Sequence, residues 1–194
     1  MTTTNQQPIR LLGLAGSLRA ASFNRALLRA VEDLAPSGVE ITTFDGLGAL
    51  PFYDGDVEAA GEPISVRSLR AAIDAADAIL LVTPEYNDGT TAVLKNAIDW
   101  ASRPPQRTLA GKPAAVMGAS VTPGGARGGI ESVKRSLRRA GSEVLDDQVA
   151  VPSAANAFDV ELHLADPLIR AEVAELVASL AARARGSAAE KLAA

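Results

Sequence analysis

The sequence predicts an α/β domain in which a parallel sheet of five strands is covered by helices on both faces. Three observations carry that expectation. Short apolar runs alternate with longer segments whose apolar residues recur at helical spacing. Gly, Pro, Ser or Asn clusters separate many of these elements. Runs such as Ala78–Val82 are apolar throughout, as strands covered on both sides must be, and right-handed crossovers bring each intervening helix back onto the sheet.

Residues 9–14 form an apolar run ending in a Gly/Ser-rich turn, which predicts the first strand. Residues 24–34 follow as a helix, because Leu27, Leu28, Val31 and Leu34 share one face. The turn Pro36-Ser37-Gly38 leads into a second strand at 39–44, and 64–76 is helical, with Leu69, Ile73 and Ala76 on one stripe. Residues 78–82 are the third strand. The helix predicted over 91–100 has Leu94, Ala97 and Ile98 on one side, and 113–119 is the fourth strand. Gly141 closes a helix at 130–140, residues 144–151 offer a broken fifth strand, and Pro167 suits the first turn of a last helix at 167–184. All 194 residues read as one domain, with frayed ends expected at 1–7 and 186–194.

Composition narrows the function. With 47% hydrophobic and 22% charged residues the chain can build a core. A net charge of -4 and a pI near 5.1 give no electrostatic footprint for nucleic acid. No cysteine is present, so disulfides, thiolate catalysis and cysteine-held metal centres are excluded, and redox work would need a bound cofactor. The start is not a basic segment followed by an apolar one, and no apolar run is long enough to span a bilayer, so a cytoplasmic location away from membranes is expected.

Ligands of such sheets bind beyond the carboxyl ends of the strands, which directs attention to the loops after strands 1, 3 and 4. The first, Gly16-Ser17-Leu18-Arg19-Ala20-Ala21-Ser22-Phe23-Asn24, opens into a helix. Ser17, Arg19, Ser22, Asn24 and the free N–H groups of the helix start can surround a phosphate. The plainer reading makes Ser22 or Asn24 a helix cap and Arg19 a solvated charge. The loop lacks the Gly-Lys-Ser/Thr of a Walker A motif and the spacing of a dinucleotide fingerprint. Asp45 could meet a ribose hydroxyl but more simply begins the turn Asp45-Gly46. The third loop, Thr83 to Thr91, is stiffened by Pro84 and turned by Gly89. The fourth, Ser120 to Gly129, carries four glycines that permit close backbone approach or serve a mobile connector.

Together these residues resemble the NADPH-dependent FMN reductase family, which includes chromate, quinone and azo-dye reductases. The first loop is similar to that family's G-S-x-R-x-x-S-x-N signature. Pro84-Glu85-Tyr86-Asn87 followed by Leu94-Lys95-Asn96-Ala97-Ile98-Asp99-Trp100 and Ser102-Arg103-Pro104 is similar to its second, and Leu50 to Glu58 resembles its loop after strand 2. The resemblance runs from about Ile9 to Pro152. It implies a flavodoxin-like three-layer sandwich with strand order 2-1-3-4-5. By it, Ser17, Arg19, Ser22 and Asn24 take the FMN phosphate, Pro84, Glu85, Tyr86 and Asn87 border the isoalloxazine, and Ser120, Gly124 and Gly125 form a third flavin loop. Where the family commonly has Asn-Gly-Ser-x-Pro-Gly, this chain has Asn87-Asp88-Gly89-Thr90-Thr91-Ala92. The pocket above the ring, and with it substrate choice, departs from the pattern there.

The implied activity passes hydride from NADPH or NADH to FMN and electrons on to a small-molecule acceptor (quinone, azo compound, chromate or free flavin) by a ping-pong course. No side chain is assigned as acid, base or nucleophile, and His163 lies outside the motif loops. The resemblance also implies a homodimer or homotetramer meeting beside the flavin through the helix from Thr91 and the Leu50 to Glu58 loop, with Phe52, Tyr53 and Trp100 as anchors. A flavodoxin-type electron carrier and a non-catalytic, stress-related module that keeps the fold remain as alternatives.

Overall fold

The computed structural model describes residues 7–193, with side chains described through 187. Five parallel strands, β1 (Ile9–Ala15), β2 (Val39–Thr43), β3 (Ala78–Val82), β4 (Pro113–Ala119) and β5 (Glu143–Val151), lie in the order β2-β1-β3-β4-β5. Central β3 and β4 are buried along their whole length, whereas the edge strands β2 and β5 are only partly covered. That is why the first pair reads as unbroken apolar runs and the second as interrupted ones. β5 is irregular against β4, with a register shift between Ala114 and Val116.

Helices α1 (Phe23–Leu34) and α7 (Pro167–Ala193) cover one face, through Leu27, Leu28 and Val31 and through Val173, Val177 and Leu180. On the other face lie α3 (Ile64–Ala75), α4 (Ala92–Ala101) and α5 (Arg127–Ala140), through Leu69 and Ile73, Leu94 and Trp100, and Val133 and Leu137. Two short helices, α2 (Gly55–Ala60) and α6 (Ala154–Ala157), and a 3₁₀ turn at Asp45–Ala49 complete the described elements. The order reverses at β1, whose neighbours β2 and β3 are reached in opposite directions, so a crevice opens beyond its carboxyl end.

The last helix, expected to end near 184, runs to Ala193, and Arg183 and Ser187 both reach Glu143, at 2.6 and 3.2 Å. The expected frayed start lies, apart from Gln7, outside the described residues. Trp100 is not an exposed interface anchor. It is fully buried, its indole N–H donates to Pro51 O at 2.8 Å, and its ring meets Tyr53 edge-on at 5.0 Å. The segment after β2 is clasped onto α4 in the same way, with Asn96 Nδ2 donating to Pro51 O (2.9 Å) and Asn96 Oδ1 accepting from Tyr53 N (2.8 Å). Asp45 opens the 3₁₀ turn and pairs with Arg25 at 3.3 Å, in keeping with its plainer reading.

Candidate functional site

Beyond the carboxyl ends of β1, β3 and β4 lies a cleft of about 240 Å³. It gathers Ser17, Arg19, Ser22 and Asn24 from the first loop, Pro84, Glu85 and Tyr86 from the third, and Ser120 from the fourth, together with Phe23, Val121 and Thr122. Eight of the residues singled out by sequence therefore share one cavity, although they come from three separate stretches of chain.

The first loop holds its donors uncommitted. Ser22 caps α1, its Oγ accepting from Asn24 N at 3.2 Å and Arg25 N at 3.4 Å, which leaves its own O–H proton free. Among the described residues the Ser17 hydroxyl has no hydrogen-bond partner, though the residue is buried. Among the described residues Arg19 donates only to Ala21 O (3.0 Å) and meets no carboxylate, so its positive charge faces the cleft with no counter-charge from them. The backbone N–H groups from Ser17 to Ala21 make no backbone hydrogen bond among the described residues. Hydroxyls, a guanidinium and free amides at a helix start form a receptacle for an anion of phosphate size. Gly16 is needed for the shape of the loop: a Cβ there would lie 2.4 Å from Leu94 Cδ1.

Tyr86 to Gly89 is a tight hairpin. Tyr86 N donates to Gly89 O at 2.9 Å and Gly89 N to Tyr86 O at 3.0 Å, with Asn87 and Asp88 both left-handed at φ 51° and 58°. That is the geometry of a type I′ turn, for which Asn and Asp are suited. The hairpin leaves the Tyr86 ring 58% exposed over the cleft. Glu85 is tied to the start of α5. Its Oε2 accepts from Gly129 N at 3.1 Å and so caps α5, whose own N-cap, Ala126, is left-handed and offers no side-chain acceptor.

Asn87, Gly124 and Gly125 do not line the cleft. Asn87 is an exposed residue of the hairpin turn. Gly125 has φ 63°, and a Cβ on it would meet Ala150 and Pro152 backbone at 3.0 to 3.1 Å, so glycine lets the fourth loop pass close to β5. A Cβ on Gly124 would lie 3.8 Å from Thr122 Oγ1, an ordinary contact. His163 is exposed outside the cleft, 3.1 Å from Asp159. Hydrogen bonding from the His163 backbone N–H, more than the nearby ring, holds the Asp159 carboxyl below the usual carboxylate range. Val121 and Thr122, which depart from the Ser-Pro-Gly run usual in the family's third flavin loop, line the cleft without having been named as site residues from the sequence, and so does Phe23, which gave no signal before the loop's path was known.

No helix among the described residues is long and apolar enough to cross a membrane. Residues 9–156 match the family model for NADPH-dependent FMN reductase. A Pseudomonas aeruginosa protein named NAD(P)H-dependent FMN reductase is 43% identical over 163 residues, covering 84% of this chain and 88% of that one. An Escherichia coli quinone reductase is 41% identical over 62% of this chain and 65% of its own length. Among solved structures, the flavoenzyme NAD(P)H:(acceptor) oxidoreductase FerB from Paracoccus denitrificans superposes with a TM-score of 0.84 at 31% identity, covering 92% of this chain and 98% of that one. A flavodoxin from the domain Archaea, at 13% identity and a TM-score of 0.57, shares the fold alone. The sheet order, the cleft and these relationships agree: the chain has a flavodoxin-like fold and belongs to the NADPH-dependent FMN reductase family of oxidoreductases.

Proposed function

We propose that the cleft holds FMN with its phosphate on the first loop and its ring between Tyr86 and the Ser120 to Thr122 wall, and that NADPH or NADH and then a quinone, azo compound, chromate or free flavin use the same open face in turn. The observation that carries this is the set of donors on the first loop, in one cavity with the second motif: the buried Ser17 hydroxyl has no hydrogen-bond partner and the Arg19 guanidinium no carboxylate among the described residues. These residues fit the phosphate of FMN. When bound, FMN supplies the chemistry, taking hydride from a reduced nicotinamide and giving two electrons to the acceptor. The chain's own residues bind and orient. Ser17, Arg19 and Ser22 hold the anion, the Tyr86 hairpin borders the ring, and Glu85 keeps its carboxylate on the α5 N-terminus. No general acid or base is required of the protein.

The electron-carrier alternative shares the fold, but relatives 43% and 41% identical to this chain carry reductase names. Steady-state kinetics with NADPH and a quinone test the reading. Parallel double-reciprocal lines and a broad acceptor range are expected; intersecting lines with one strongly preferred acceptor would show a ternary complex and overturn the one-face course. A homodimer or a dimer of dimers and a cytoplasmic location belong to the same proposal. Phe52, 78% exposed on a segment clasped to α4, takes the anchoring role that Trp100 does not have. Light scattering that shows a fully active monomer would contradict it.

A further inference from the structure

We infer that Asn24 is a positioning residue that joins the two halves of the cleft, and that its amide takes no part in holding the phosphate. The inference rests on the FMN reading above. β4 outruns β3. Val82, the last residue of β3, is in register with Met117, and Thr83 N closes that ladder on Met117 O at 2.9 Å. In a parallel sheet the peptide groups of successive residues face opposite neighbours. Ser120 N is turned toward β5, donating to Val151 O at 3.1 Å. Ala119, one residue earlier and two beyond Met117, therefore turns both its N–H and its C=O toward the side where β3 has ended.

Asn24 fills that vacancy in the ladder. Its Oδ1 accepts from Ala119 N at 2.9 Å and its Nδ2 donates to Ala119 O at 2.9 Å, across 95 residues of sequence. A primary amide offers the donor and acceptor of a peptide group, so one side chain stands in for the missing stretch of strand. The contact is sealed, with Asn24 4% and Ala119 2% exposed, and buried peptide groups require such partners. At one end of the link is the capped start of α1, where Asn24 N also bonds Ser22 Oγ. At the other begins the Ser120 to Thr122 wall, itself held by the Ser120 Oγ to Thr122 Oγ1 bond of 2.9 Å. Asn24 thus sets where the ring-side wall stands relative to the phosphate loop. Its loss slackens the wall for a flavin with or without a phosphate, whereas loss of Arg19 is felt only by the phosphate.

The test titrates wild type, Asn24→Ala, Asn24→Gln and Arg19→Ala with FMN and with riboflavin, at a temperature where each variant is folded by circular dichroism. Both Asn24 variants should bind both flavins at least about fivefold more weakly with the ratio of the two dissociation constants kept at its wild-type value, while Arg19→Ala should collapse that ratio. Gln keeps the amide but is one methylene too long to meet both groups of Ala119, so it should not rescue. A ratio that falls toward one in Asn24→Ala with riboflavin binding intact, FMN binding restored in Asn24→Gln, or unchanged affinity for both flavins would overturn the inference. Should the Asn24 variants fail to fold, scalar couplings across the Asn24 to Ala119 hydrogen bonds in wild type decide it: they should persist when FMN binds, and their loss would show the amide moving to the ligand. A wild type that binds neither flavin would refute the FMN reading itself, a separate outcome.

Discussion

The loop after β1 and the surroundings of the segment after β2 hold similar groups and use them in opposite ways. The first carries Arg19, Asn24 and two serines, and the second, with its own Tyr53, is met by Asn96 from α4 and Arg70 from α3. After β2 most of the set is committed: Pro51 O receives two donors, Tyr53 OH donates to Glu58 at 3.0 Å, and the buried Arg70 guanidinium donates to Trp100 O, Glu62 and Gln106 at 2.7 to 3.3 Å, while Glu58 Oε1, buried without a hydrogen-bond partner among the described residues, keeps an ion pair with Arg70 at 3.7 Å. After β1 Asn24, the capping lone pairs of Ser22 and one Arg19 donor, on Ala21 O, are committed, and among the described residues the Ser17 hydroxyl, the Arg19 charge and a run of backbone N–H groups are left over. Residue type does not separate a fastening from a site. The balance of satisfied and unsatisfied groups does.

Substitutions can break this contrast from either side. The largest expected effect is on the fastened side. Trp100→Ala removes a fully buried ring and the donor to Pro51 O, and should cost about 3–5 kcal/mol of stability, read as a lowered urea midpoint. A loss under about 1 kcal/mol would mean that the segment does not depend on this clasp. On the open side, Arg19→Ala should leave the unfolding midpoint of the flavin-free protein within about 0.5 kcal/mol of wild type, yet weaken FMN by about 1.5–3 kcal/mol, roughly tenfold or more. The reverse pattern would make Arg19 a structural residue.

Gly129→Ala sharpens the boundary between the two uses. Its Cβ would lie 2.7 Å from Pro84 O, so α5 and the Pro84 to Tyr86 loop would have to part, at about 1–3 kcal/mol of stability and with weaker binding of any flavin. Calorimetry and flavin titration would show whether both fall together. The smallest effects belong to the hairpin. Tyr86→Ala should shift acceptor preference across a panel of quinones and azo compounds while changing stability by less than about 0.5 kcal/mol. Asp88→Gly relieves a left-handed residue at φ 58° but frees the unfolded chain, so its net effect on stability should be within about 1 kcal/mol of zero.

Much of this was legible in the sequence for a physical reason. Strands buried on both faces must be apolar throughout, which gave the central strands, while the partly covered β2 and β5 were read from a turn before an alternating run and from a broken apolar run; the expected helices, the far end of α7 apart, fell within a few residues of those found. The Asp45 to Glu62 excursion hid its 3₁₀ turn and α2 because neither buries a periodic apolar face: α2 has no buried residue and the turn buries only Leu47. At the site, local chemistry pointed to Ser17, Arg19 and Ser22, whose roles are set within one loop. It misplaced Trp100 because burial by a distant carbonyl, Pro51 O, leaves no local trace. Asn24, too, reads as a cap or a ligand until the end of β4 is seen beside it.

The central claim is that the loop after β1 is the phosphate half of a flavin site, and the affinities of the wild-type protein for FMN and riboflavin test it most directly. The two ligands differ only by the phosphate, and charge-assisted bonds to it are each worth about 1.5–3 kcal/mol, so FMN should bind at least roughly tenfold more tightly. Indistinguishable dissociation constants would show that Ser17, Arg19 and Ser22 hold no phosphate and would contradict the account at its base.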